Sequence, residues 1–283
     1  MSNIIAGGEK GLRAYLAGDE MRERLNAVAG RYVTPEKLVR SAMASIVKTP
    51  KLLDCTKESW AIAMMQCAVI GLELGPPFNH AALVPFKNSK KQVTECTFMP
   101  MYQGLVYLAM DSGIVTYVDA RTVYRDDSFG FEYGSAPFVK HKPNYQSKAR
   151  TDKDIVAFYS VIKTKGSDTP LIKVMSKEEV DLIQARSKNQ DGFSPWKTDY
   201  ADMGQKTVYK KNQKYAPIAQ SRRLATAIAY DDKAQIGEGI TEADIEPIDG
   251  DPKGLPEPPK SLPEKTEKPE KPLSEYTAED FPE

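Results

Sequence analysis

The chain has 283 residues and a formal net charge of zero, but the zero hides two unlike parts: Ala234–Glu283 carries 14 acidic residues and 5 lysines, a net of −9, leaving 34 basic and 25 acidic residues in 1–233, a net of +9. No apolar run approaches the ~18–20 residues of a membrane span, the N-terminus lacks the apolar core of a secretory leader, and three cysteines and two histidines show neither disulfide nor zinc spacing. A reduced, cytoplasmic protein is expected, and its basic body favours a polyanionic partner, of which nucleic acid is the commonest.

In chain order, Leu12, Leu16, Leu25 and Val28 recur at loosely helical spacing. The stretch Arg31–Thr49 is firmer. Thr34 suits a cap, Pro35 suits the first helical position, and Leu38, Ala42 and Ile46 follow at every fourth residue. Pro50 ends that helix. Thr56 then caps a second one, in which Ala61, Met64, Met65, Ala68 and Val69 form a broad apolar face before Gly71. Past Gly75-Pro76-Pro77 the period changes, and Ala81–Phe86 and Val93–Phe98 read as strands joined by a polar turn. Helix returns over Met101–Ser112. Strands are expected over Val115–Tyr124, Phe129–Tyr133, Phe138–Lys140, Ile155–Lys163 and Leu171–Met175. Ser176 and Glu179 then form a capping box, and helices follow over Asp199–Tyr215 and Gln220–Tyr230.

The pattern is α+β, with a central antiparallel sheet of roughly five strands flanked by helices. Residues 1–30 form an N-terminal helical segment suited to a subunit contact, 31–233 form the core, and 234–283 form an acidic tail. Between Pro247 and Pro272 the tail includes DPKGLPEPPKSLPEKTEKPEKP, which has almost nothing to bury and is expected to be disordered. Its end embeds Tyr276 and Phe281 among acids, a composition that suits a docking peptide, a competitor for the basic region or a solubilising tail.

The chemistry concentrates between Trp196 and Arg223. Seven basic residues fall there (Lys197, Lys206, Lys210, Lys211, Lys214, Arg222 and Arg223) against Asp199 and Asp202. Lys206, Lys210 and Lys214 recur every four residues, so they rise along one helix face, drifting ~40° per step. Tyr200, Met203 and Thr207 border them with an apolar seam. Arg222 and Arg223 stand at the start of the next helix, where the dipole does not favour them and their forked guanidiniums suit phosphate oxygens. Trp196, Tyr209 and Tyr102 are candidates for base stacking or groove packing, which favours unpaired strands. The bland alternative is a solvated lysine face.

Signals for covalent chemistry are weak. Gly204-Gln205-Lys206-Thr207 lacks the glycine-rich loop of a nucleotide site, and neither a nucleophile elbow nor a zinc-protease motif is present. Two acidic pairs, Asp126-Asp127 and Asp231-Asp232, leave open a metal-dependent nuclease, with Asp126 and Asp127 as the favoured ligands. A basic structural or assembly domain without DNA function is the third reading.

Ordered blocks across about residues 30–233 resemble the phage RecT-type single-strand annealing proteins. They include Tyr32-Val33-Thr34-Pro35-Glu36, Thr49–Thr56, Gly71–Gly75, Ala82–Phe86, Tyr102-Gln103-Gly104-Leu105 and Val123-Tyr124 with Asp127 and Phe129. The last are Pro195-Trp196, Met203, Lys206-Thr207-Val208, Lys210-Lys211 and Lys214, ending with Ala225–Asp231. Gln103 replaces a lysine common in the family, and Arg125 stands where an acid is common, partly restoring positive charge. Asn212 and Gln213 interrupt a stretch often richer in Arg and apolar residues. The resemblance implies that 31–233 is a DNA-binding and annealing core. It implies a non-enzymatic protein that binds single-stranded DNA without base preference and anneals strands as a ring or helical filament of identical subunits. No cofactor is implied: ATP is not required and Mg²⁺ would only modulate. It also implies a phage or prophage recombination role in a bacterial cytoplasm, with an exonuclease and a host single-strand-binding protein as partners.

Overall fold

The computed structural model describes residues 7–29, 32–88, 91–187, 194–214 and 221–248. Residues beyond 248, where the tail is expected to be disordered, lie outside the described residues. The loosely helical start resolves into α1 (Gly8–Ala17) and α2 (Asp19–Val28), separated by the extended Gly18. The next helix, α3 (Pro35–Lys48), has the expected cap, the Thr34 side chain accepting from Lys37 N. A 3-10 turn over Pro50–Asp54 leads to α4 (Lys57–Ile70), capped by Thr56. That helix is apolar almost all round, so it sits at the centre of the body rather than on its surface. Trp60 Nε1 donates to Leu52 O at 3.1 Å and ties it to the preceding turn.

Strands β1 (Ala81–Asn88) and β2 (Val93–Pro100) pair as an antiparallel hairpin, with Ala81 opposite Pro100. Helix α5 (Tyr102–Asp111) follows at once. The next sheet has the order β3 (Val115–Tyr124), β6 (Ile155–Thr164), β7 (Leu171–Ser176), all antiparallel. Inserted between its first two strands is a short hairpin of β4 (Ser128–Glu132) and β5 (Phe138–Lys142). The α+β class is as expected, but the single sheet of roughly five strands is not. Among the described residues the strands form three small sheets of two, three and two strands. Alternation identifies each strand, yet it does not say which ladder the strand joins, and the short connections let each hairpin close on itself.

The Ser176–Glu179 capping box starts α6 (Lys177–Gln184) as expected. After α7 (Pro195–Thr198), helix α8 (Tyr200–Gln213) crosses one face of the three-stranded sheet. Gly204 permits that approach, because a Cβ there would lie 2.3 Å from the Phe158 ring. Gln205 Nε2 donates to Thr122 Oγ1 at 3.0 Å, and Asn212 Nδ2 donates to the carbonyls of Ser160 and Leu171, each at 3.0 Å. The β4–β5 hairpin covers the opposite face, with Phe129 stacked on Tyr159 at 5.5 Å. Helix α9 (Arg222–Ile236) packs on β2, α4 and α5.

Two expected boundaries shift. Leu12, Leu16, Met21 and Leu25 share one buried cluster with Trp60 and Leu224, so the described part of 1–30 is built into the body. The expected tail boundary at 234 falls inside α9, and beyond that helix Ile245 is buried. Cys55, Cys67 and Cys96 are buried and unpaired.

Candidate nucleic-acid interface

Helix α8 has the lysine spacing expected of a stripe, but that stripe does not face solvent. The helix lies on the sheet, its Lys206 and Lys210 side chains reach to Asp231 on α9, and both lysines are buried. Lys206 Nζ lies 2.7 Å from Pro100 O and 2.6 Å from Asp231 Oδ1. Lys210 Nζ lies 2.5 Å from Asp231 Oδ2 and 2.7 Å from Asp232 Oδ1, and Gln235 Nε2 donates to the same Asp231 oxygen at 2.8 Å. Burial would raise the fully buried Asp231 carboxyl, but the two ammonium groups carry it below the ordinary carboxylate range. Burial would lower Lys210, and the two carboxylates raise it instead. For Lys206 burial wins and its pKa falls, with Asp231 opposing and Lys210 reinforcing the fall. The pair Asp231-Asp232, a candidate metal ligand in the sequence, is the counter-charge of this cluster.

Arg223 is likewise turned inward and only 1% exposed. Its Nε donates to Ile70 O at 2.9 Å, its Nη1 lies 2.6 Å from Asp111 Oδ2, and its guanidinium carbon sits 3.5 Å from the Tyr32 ring centroid. Trp196 and Tyr209 are core residues rather than stacking platforms. Trp196 packs near Tyr200, and Tyr209 donates its hydroxyl to Leu105 O at 3.2 Å. Tyr102 is half-buried, with its ring edge-on to Tyr209 at 5.4 Å.

These buried groups share one task. Lys206 grips the carbonyl of Pro100, two residues before α5 begins. Tyr209 holds its middle through Leu105, and Arg223 holds Asp111 at its last residue. The basic residues read as strand contacts thus brace the helix that carries Gln103 on its exposed first turn.

Other predicted cations remain outside. Lys197, Lys211, Lys214 and Arg222 are exposed, and among the described residues none makes an ion pair. Lys211 and Lys214 line a cleft of about 260 Å³ with Arg186, Ile183, Thr207 and Ile236. Lys197 lines the adjoining cleft, which shares Ser187. Arg186 also lacks an ion pair among the described residues, and it stood outside the stretch where basic residues cluster in sequence. Only the fold brings the end of α6 against α8. Gln103 and Arg125 are exposed but do not line this cleft, and Arg125 lies 3.7 Å from Asp154.

The other acidic pair is also committed. Asp127 accepts from Asn144 N at 2.7 Å, Arg150 Nη1 at 2.8 Å and Tyr124 N at 3.0 Å, and contacts His141 Nε2 at 3.1 Å. Burial would raise its carboxyl, but these partners bring it far below the ordinary range. Asp126 accepts from Ser147 Oγ at 2.6 Å. The nuclease reading finds no support in this geometry.

With cluster, braced helix and free cations in place, comparison with known sequences decides the family. The RecT family model matches residues 36–247. The chain belongs to the RecT family. It is 31% identical to Protein RecT of Escherichia coli (strain K12) over 222 residues, which is 78% of this chain and 80% of that protein. Within this RecT-family chain the matched span contains the buried cluster, all of α5 and the free cations Arg186, Lys197, Lys211, Lys214 and Arg222. Among the described residues, no helix is long and apolar enough to cross a membrane.

Proposed function

We propose that this chain binds single-stranded DNA through its backbone and, as an oligomer of identical subunits, anneals complementary strands without ATP. The observation that carries the reading is a set of exposed cations, Arg186, Lys197, Lys211 and Lys214, that have no ion-pair partner among the described residues and line joined clefts of a RecT-family chain. Phosphates neutralised there release counterions, which makes affinity fall with salt. A strand held by its backbone leaves base edges open to a second strand, and pairing and stacking supply the driving force. No covalent step is required of the protein. Oligomerisation aligns neighbouring sites and raises their effective concentration. Mg²⁺ enters this scheme only as a modulator of charge. The role is phage-type recombination in a bacterial cytoplasm, with an exonuclease and a single-strand-binding protein as partners.

The test is the exposed pair. Lys211→Ala with Lys214→Ala should leave circular dichroism unchanged and weaken binding to a fluorescent oligothymidylate by roughly tenfold at low salt. Two lost phosphate contacts should flatten the plot of log affinity against log salt by about 1.4. Annealing of complementary oligonucleotides should slow in parallel. Parent-like binding and salt dependence would remove this cleft from the DNA path and favour a purely structural role for the charge.

A further inference from the structure

The loop between α4 and β1 reads Gly75-Pro76-Pro77-Phe78-Asn79-His80. Asn79 takes a left-handed φ of 49°, a region that Asn tolerates better than most residues, and its N–H donates to Gly75 O at 2.8 Å. The loop doubles back there, and the rings of Phe78 and His80 meet at 5.3 Å and 29°. His80 also offers its carbonyl to Met101 N at 2.9 Å, so the loop sits directly against the start of α5. The approach is close enough that a Cβ on Gly104 would stand 2.0 Å from that carbonyl oxygen. Three residues further along α5, the Tyr107 ring lies parallel to His80, at 4.6 Å and 17°.

The result is a ladder of three rings, Phe78, His80 and Tyr107, with Phe78 51% and Tyr107 38% exposed. Met101, just before α5, and Met110 on it are exposed, as is Gln103. Exposed apolar side chains gathered at one place mark a binding surface more often than isolated ones do. The shape of this group narrows its occupant. Stacked rings with exposed ends continue naturally into a nucleobase, whose flat face any sequence presents. The exposed, polar Gln103 lies one turn before Tyr107 on α5, on the same side of the helix. Burial lowers the His80 pKa, with Glu73 opposing, which disfavours the charged form of the middle ring. The platform is also rigid, because Lys206, Tyr209 and Arg223 hold α5 along its length.

We propose that unpaired bases of the bound strand stack on the Phe78–His80–Tyr107 ladder, making α5 the base-contacting element of this chain. The inference rests on the single-strand reading and adds to it a site distinct from the phosphate cations. The experiment separates the two by using oligothymidylate and an abasic strand of equal length, which keeps the phosphates and lacks the bases. The full-length parent should prefer the base-bearing strand by about tenfold or more. Phe78→Ala with Tyr107→Ala should lose about fivefold to tenfold on oligothymidylate, nothing on the abasic strand, and none of the salt slope. Tyr107→Phe, which keeps the ring, should behave as the parent.

Equal losses on both strands, or no loss on oligothymidylate, would overturn the proposal while leaving backbone binding intact. A change of oligomer size with the base preference preserved would assign the ladder to a contact between copies and overturn it too. A parent that binds neither strand would instead defeat the single-strand reading itself, and the ladder with it.

Discussion

Asp231 has no exposed surface and two ammonium partners, so its replacement tests what the buried lysines do. In Asp231→Asn, Lys206 and Lys210 lose their shared counter-charge inside the body. Stranding buried charge in this way costs about 3–5 kcal/mol, against total stabilities of about 5–15. Lys206→Met is gentler, because Asp231 keeps Lys210 and Gln235, and the main orphan is the Pro100 carbonyl. Its cost should be about 1–3 kcal/mol. Urea unfolding should rank Asp231→Asn well below Lys206→Met, and DNA affinity per folded molecule should hold in the latter. A Lys206 that contacted phosphate would instead lose DNA affinity in Lys206→Met while keeping its stability. The lysine spacing was legible in the sequence; its direction was not. Periodicity shows that Lys206 and Lys210 share a face, but the face is chosen by Asp231, which lies 25 residues from Lys206. Arg223 was illegible for the same reason, since Asp111 lies 112 residues away.

At the scale of elements, the β4–β5 hairpin hangs on Asp127. Its carboxylate collects the N–H of Tyr124 before the hairpin, those of Asn144 and Arg150 after it, and His141 on β5. These partners lower the carboxyl pKa in the folded protein, so their stabilisation is complete above its unfolded value near 4 and is lost as pH falls toward the folded value. Hydrogen exchange over residues 128–142, corrected for intrinsic rates, should therefore show protection falling as pH drops below about 4. Asp127→Asn should lower protection at neutral pH and remove much of that acid dependence. An unchanged profile would mean that the hairpin is held by Phe129 on Tyr159 and not by the carboxylate. The strands themselves were visible as alternating runs, and the capping residues Thr34, Thr56 and Ser176 acted as expected. The merging of strands into one sheet was not. Pairing depends on long-range contacts, and the Asp126-Asp127 turn that sets off this hairpin looks in sequence like any acidic turn.

For the whole molecule, the division into a basic body and an acidic tail was readable from charge alone, but its boundary was not. Residues 234–236 complete α9, Ile245 is buried, and Glu242 and Asp244 approach Arg24 and Lys233, each at 3.6 Å. Part of the acidity is therefore matched within the body. From 249 onward ten acidic residues face five lysines, a net of −5. If Lys211, Lys214 and Arg186 hold phosphate as proposed, a segment of this charge should compete with it for them electrostatically. A chain ending at Ile248 should bind single-stranded DNA more tightly than the full chain at low salt. The gap should close as salt rises past about 0.15 M, where the screening length is about 8 Å. A chain ending near 240 is a different experiment, because it removes Ile245 and both ion pairs and should unfold at lower urea. Equal affinity of the full and 248-residue chains at low salt would free the acidic segment from any role at the proposed DNA cleft.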